Sequence, residues 1–144
     1  MLRHPATALA ATFLAALIGL AGCASADWSA DDGRPVTADA LRAAVTGNTL
    51  SGTFSIGYGM VGHLTVYYGA DGVVKARVSV WAGPDEGTWD IEGDNKLCVK
   101  YRADRNGLRY CHTVTELNGD EMAYTSPESI RVSGKLLRGY PHGL

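Results

Sequence analysis

The acid–base inventory of this 144-residue chain is small. After the first segment the histidines are His63, His112 and His142, and the closely spaced carboxylates include Asp85-Glu86 and the alternating Asp90 and Glu92. An imidazole beside a carboxylate can move a proton or hold a metal. No spacing here builds such a site, and H-E-x-x-H, G-x-S-x-G and P-loop patterns are absent. Asp90 and Glu92 alternate with Trp89 and Ile91, the pattern of the wet face of a strand. Gly57-Tyr58-Gly59-Met60-Val61-Gly62 satisfies G-x-G-x-x-G, but a dinucleotide site needs a helix to open there, and 63–68 reads as strand. No catalytic residue, no metal site and no cofactor is expected.

Aromatic side chains offer more. Tyr67, Trp81, Trp89, Tyr101 and Tyr110, with His112, are candidates to line the mouth of a small barrel, where rings with polar tips make ligand pockets. The plainer expectation for a domain of this size is that most of these rings fill the interior. His112 shares the apolar side of its strand and is expected as a hydrogen-bonded core residue. With 13 Lys+Arg against 15 Asp+Glu there is no basic face to neutralise phosphates, so nucleic acid is not an expected partner.

The start of the chain is an address. Met1-Leu2-Arg3-His4 is a short basic opening, and the apolar run 6–21 that follows is shorter than the roughly 20 residues of a membrane-spanning helix. That order is the layout of a secretory signal. Leu20-Ala21-Gly22-Cys23 resembles the lipobox of bacterial lipoproteins, in which the precursor is cut before the cysteine and the thiol carries a diacylglycerol. The resemblance implies a signal peptide over 1–22, lipidation of Cys23 and a membrane partner through that lipid. Each buried methylene adds about 0.8 kcal/mol, so two or three acyl chains hold far more firmly than one. Ala24 is not the aspartate that retains such proteins in the inner membrane, which implies the outer membrane, facing the periplasm. Ala24-Ser25-Ala26 is a rival A-x-A site whose use would release a soluble periplasmic protein.

Lipid on Cys23 leaves an even number of thiols. Cys98 and Cys111 are then expected to pair in the oxidising compartment. Alternation puts Leu97, Val99 and Tyr101 on one side and Cys98, Lys100 and Arg102 on the other; it groups Leu108, Tyr110, His112 and Val114 opposite Arg109, Cys111 and Thr113. Both cysteines fall on the polar face of one hairpin turning at Asp104-Arg105-Asn106-Gly107, so they can meet across the ladder.

The elements that must hold these groups follow from periodicity. Residues 23–35 are small, polar and acidic, a flexible tether spanning about 20 Å as a random coil. Residues 36–144 form one β-rich domain. A short helix is expected over 37–46, capped by Thr37 and ended at Gly47. Strands are expected over 49–56, 63–68, 73–81, 88–92, 97–102, 108–117, 121–125 and 130–136, separated by turns such as Ala70-Asp71-Gly72 and Asn118-Gly119-Asp120. The fold class is mainly β, a small antiparallel up-and-down barrel or meander of about seven to eight strands with one short N-terminal helix.

The run Gly47-Asn48-Thr49-Leu50-Ser51-Gly52, with Tyr68-Gly69-Ala70-Asp71-Gly72, Gly87-Thr88-Trp89, Gly93-Asp94, Cys98 and Cys111, resembles a family of small exported bacterial proteins of unknown function. That family brings no catalytic residues to carry over. In architecture the chain is also similar to periplasmic inhibitors of bacterial metalloproteases, though these act through a free amino-terminal segment that a lipid on Cys23 would occupy. The expected function is a non-enzymatic envelope lipoprotein whose disulfide-stapled β-domain binds an envelope protein or a small apolar ligand. A protease inhibitor is the second expectation and an enzyme the third.

Overall fold

The structure is a computed structural model and describes residues 35–55, 58–140 and 144. The signal segment, Cys23 and most of the tether lie outside the described residues. So does His142.

Among the described residues one α-helix, α1 (Ala38–Val45), comes first. Thr37 is its N-cap: the hydroxyl accepts the Ala40 N–H at 3.3 Å and satisfies one of the donors that a helix start leaves open. Leu41 and Val45, four residues apart on one stripe, are fully buried. Eight strands follow: β1 (Asn48–Ser55), β2 (Val61–Tyr68), β3 (Val73–Val78), β4 (Asp85–Glu92), β5 (Lys96–Tyr101), β6 (Tyr110–Asn118), β7 (Glu121–Thr125) and β8 (Arg131–Arg138). Each pairs antiparallel with the next, and β8 returns to β1 through the register Asn48↔Arg138 to Phe54↔Val132. The sheet is therefore a closed up-and-down barrel with no open edge. The expected barrel of seven to eight strands with one short helix is this fold.

Inward positions alternate along every strand, as a half-buried ladder requires. Leu50, Leu64, Val66, Tyr68, Val74, Ala76, Leu97, Val99, Val114 and Val132 are all buried in one core. Helix α1 touches both β1 and β4, which are not neighbours in the barrel, so it crosses one end and closes it. The turns of the other end join β1 to β2, β3 to β4, β5 to β6 and β7 to β8. Gly87 marks the tightest backbone approach: a Cβ there would stand 1.8 Å from the Lys100 carbonyl oxygen. A slip in β6 between Val114 and Glu116 adds one residue, a bulge that returns Leu117 to the pair with Met122.

Several boundaries differ from expectation. Strand β3 stops at Val78, so Trp81 lies in the β3–β4 turn rather than on a strand, where its N–H still donates to the Val78 carbonyl at 2.9 Å. Strand β4 begins at Asp85, three residues earlier than the alternation around Trp89 indicates. Leu108 is exposed and precedes β6, because Asp104–Gly107 winds into a short 3-10 turn instead of a tight hairpin. Arg105 and Asn106 both take left-handed backbone conformations there, with φ of 51° and 54°.

Candidate functional site

The end of the barrel opposite α1 is open. It leads into a cavity of about 180 Å³, bounded on one side by aliphatic residues of β2, β3 and β8, among them Leu64, Val66, Val78 and Val132. The other side is a continuous run of five rings: Trp81, Tyr101, Tyr110, His112 and Tyr124. Successive centroids lie 5.1, 6.4, 5.3 and 4.3 Å apart, the first three within the usual range of edge and offset ring contacts and the last, His112 to Tyr124, slightly closer. Phe54 completes the wall at the β1–β2 turn. It fits because its pair across the ladder is Gly62, above whose Cα the ring lies; a Cβ there would come within 2.3 Å of it.

Of the six residues expected to line a pocket, four meet here: Trp81, Tyr101, Tyr110 and His112. Trp89 points inward but sits in the core toward the closed end. Its indole N–H donates to the Gly69 carbonyl at 2.9 Å, and its ring packs edge-on against Tyr68. Tyr67 faces outward, 4.9 Å from the Tyr140 ring, which also receives the Lys75 ammonium at 5.3 Å. Tyr124 completes the ring wall and was readable from the strand period, since it shares the inward face with Met122. Arg105, Asp104 and Glu128 at the mouth gave no such signal, because they lie in turns that impose no period.

The mouth carries the charge. Tyr110 donates its hydroxyl to Asp104 Oδ2 at 2.6 Å. The Arg105 guanidinium lies over the Tyr110 ring, 4.2 Å from its centroid, and pairs with the Glu128 carboxylate, tying the β5–β6 turn to the β7–β8 turn. Asp85 at the start of β4 holds the β5–β6 turn from beneath: its Oδ2 accepts the Ala103 and Asp104 N–H groups, each at 2.9 Å. Burial works against ionising Asp85, but these bonds and the others from backbone N–H groups outweigh it and hold the carboxyl below its usual range.

Within the cavity the ionisable groups stay neutral. Burial, followed by hydrogen bonding to Asp104, pushes the Tyr110 phenol far above its ordinary value; burial does the same for Tyr101 and Tyr124. Burial and then the Arg105 guanidinium pull the His112 imidazole down to about 4. Its Nδ1 is buried with no hydrogen-bond partner, so the expectation of a satisfied core histidine is corrected. The Tyr110 ring meets the imidazole edge-on and the Tyr124 ring lies tilted against it, with centroids 5.3 and 4.3 Å away.

Cys98 and Cys111 are bonded, as expected, and are directly opposite in the β5–β6 register. The bridge is on the outer surface of the barrel, yet Cys98 is fully buried. Glu92 reaches within 4.8 Å of both sulfurs, and Arg109 spans Asp90 at 2.7 Å and Glu92 at 3.0 Å beside them. This grouping has ligand-like spacing, but oxidised sulfurs have no thiolate to give a metal. The disulfide closes the segment that carries Asp104, Arg105 and Tyr110, so it braces one side of the mouth.

No protein-family model matches the chain, and no curated protein or solved structure is significantly similar to it. Among the described residues, no helix is long and apolar enough to cross a membrane.

Proposed function

We propose that the protein is a non-enzymatic lipoprotein of the bacterial envelope, anchored through lipid on Cys23, that binds a small apolar ligand or an apolar side chain of an envelope partner at the barrel mouth. The observation that carries this reading is the ring-walled cavity open at one end. An apolar cavity of 150 Å³ is enough for benzene, so about 180 Å³ takes one ring or a compact branched group. Pockets for whole drug-sized ligands run from about 300 Å³ upward. The occupant is accordingly a small molecule, or one end of a larger one.

Chain direction supports the same reading. Residues 35–37 lead into α1, and Val36 packs against the core, so the polypeptide enters at the closed end. A tether joined at that end leaves the mouth, at the opposite end of the barrel, unobstructed by the attachment. Five exposed apolar residues, Tyr58, Met60, Val61, Val80 and Leu108, lie in or beside the turns of the open end. Such a rim suits contact with an apolar partner.

Two measurements test the proposal. The native protein should enter the detergent phase on phase separation, and Cys23→Ser should not; equal partitioning would refute the anchor. Fluorobenzene should show a broadened, shifted fluorine NMR signal with the protein, restored by Val78→Phe, which fills the cavity. An unchanged signal with the wild-type protein would refute binding at the mouth.

A further inference from the structure

We infer that the mouth is a site for a small organic cation, a quaternary or alkylated ammonium group, for which the Arg105 guanidinium is a resident stand-in. The inference rests on the binding role of the mouth proposed above and names the class of ligand. Three observations converge. First, the wall is aromatic over five adjoining rings, and ring faces attract alkylated ammonium groups through the ring quadrupole, most strongly where water is excluded. Second, one of these rings already holds a cation: Arg105 lies 4.2 Å from the Tyr110 centroid. Third, among the described residues the charged groups bordering the cavity are Asp104, Glu128 and Arg105, an excess of one negative charge.

Size and neighbours agree. Tetramethylammonium has fewer heavy atoms than benzene, which an apolar cavity smaller than this one accommodates. Tyr101, Tyr110 and Tyr124 are held protonated by burial, so they meet the ligand as neutral ring faces. His112 is neutral at pH 7 and does not repel the ligand. Arg105 is the one competitor. Its backbone has φ of 51°, a conformation that asparagine tolerates better than arginine. Arg105→Asn therefore removes the competing charge without straining the backbone of the turn; it gives up the tie to Glu128, whose carboxylate still accepts from the Ser126 hydroxyl at 3.0 Å.

The test is calorimetric titration of the full-length protein, in a maltoside detergent, with tetramethylammonium, with choline and with 3,3-dimethylbutan-1-ol, the uncharged isostere of choline. The cations should bind at least tenfold more tightly than the isostere. Arg105→Asn should strengthen the cations severalfold and leave the isostere unchanged. Trp81→Leu should weaken the cations more than the isostere, a selectivity change that loss of folding cannot imitate. Phosphatidylcholine added to the maltoside micelles as competitor distinguishes the source: displacement of tetramethylammonium assigns the site to a lipid headgroup, and its absence to a free cation. Equal affinity for choline and its isostere, or weaker cation binding in Arg105→Asn, would overturn the inference. If fluorobenzene still binds in that case, the cavity reading survives and only the ligand class is wrong; if nothing binds, both fall.

Discussion

Acidification should weaken the barrel through His112 before it touches the carboxylates. The imidazole titrates near 6.5 when the chain is unfolded but only at about 4 when folded, because burial and the Arg105 charge oppose protonation. Its folded value is depressed, so below pH 6.5 the unfolded chain binds a proton that the folded chain refuses. Stability is then complete above about 6.5, falls by about 1.4 kcal/mol per pH unit, and levels off below about 4. The accumulated loss is about 3 kcal/mol, a large share of the 5–15 kcal/mol typical of a domain. Asp85 acts in a lower window: its depressed carboxyl loses stability as pH falls from the ordinary 3.8 to its lower folded value. The control is His112→Phe, which keeps a ring between Tyr110 and Tyr124 and removes the unpartnered Nδ1. Removing a buried polar atom with no partner should also add about 1 kcal/mol at pH 7. Urea unfolding followed by tryptophan fluorescence at pH 7, 6, 5 and 4 measures both. A wild-type slope between 6.5 and 4 that persists in His112→Phe would refute the reasoning.

Other perturbations have equally definite outcomes. Replacing Cys98 and Cys111 together by alanine removes a closure across 13 residues and should cost about 3 kcal/mol; it should also expose the β5–β6 turn to limited proteolysis, whereas cleavage confined to other turns would contradict the bracing role. Gly87→Ala places a methyl group against the Lys100 carbonyl and should cost at least about 3 kcal/mol by thermal unfolding; a near-neutral effect would show that β4 and β5 are further apart than described. Thr37→Ala removes the cap and should cost about 1 kcal/mol, with faster amide exchange at Leu41, whose N–H donates to the Thr37 carbonyl at 2.9 Å. Unchanged exchange there would mean that packing, not the cap, holds the first turn.

Strand number, antiparallel order and the Cys98–Cys111 pairing were legible because one physical rule governs them: a sheet with one buried face writes a period of two into its residues. Val74, Ala76 and Val78 against Lys75 and Arg77 is that rule at its plainest, and it continues across the register into Leu64 and Val66. Closure of the barrel was open to the alternative of a meander, since the β1–β8 pairing joins residues some 85 positions apart and no local pattern records it. The mouth was legible only in part. Trp81, Tyr101, Tyr110 and His112 announced themselves as rings near an apolar face, whereas Trp89 and Tyr67 carried the same sign and went elsewhere. What separates them is depth along the barrel and side of the sheet. Alternation gives the side, and had it been applied to Tyr67, which is offset by one from Val66 and Tyr68, it would have placed that ring outside. Depth depends on the stagger between strands, which is a property of the closed barrel. Arg105 was hidden because its position depends on two successive left-handed residues in a turn: Asn106 is of a type that adopts this conformation readily, but arginine is not.

The proposed binding site is the open end of the barrel and nowhere else. Amide chemical-shift mapping during a fluorobenzene titration tests it residue by residue. Shifts should gather at Val78, Trp81, Arg105, Tyr124 and Ser126 and leave the closed-end turns at Gly93 to Asn95 and Asn118 to Asp120 unmoved. Shifts centred on α1 and those closed-end turns, with the mouth silent, would contradict it.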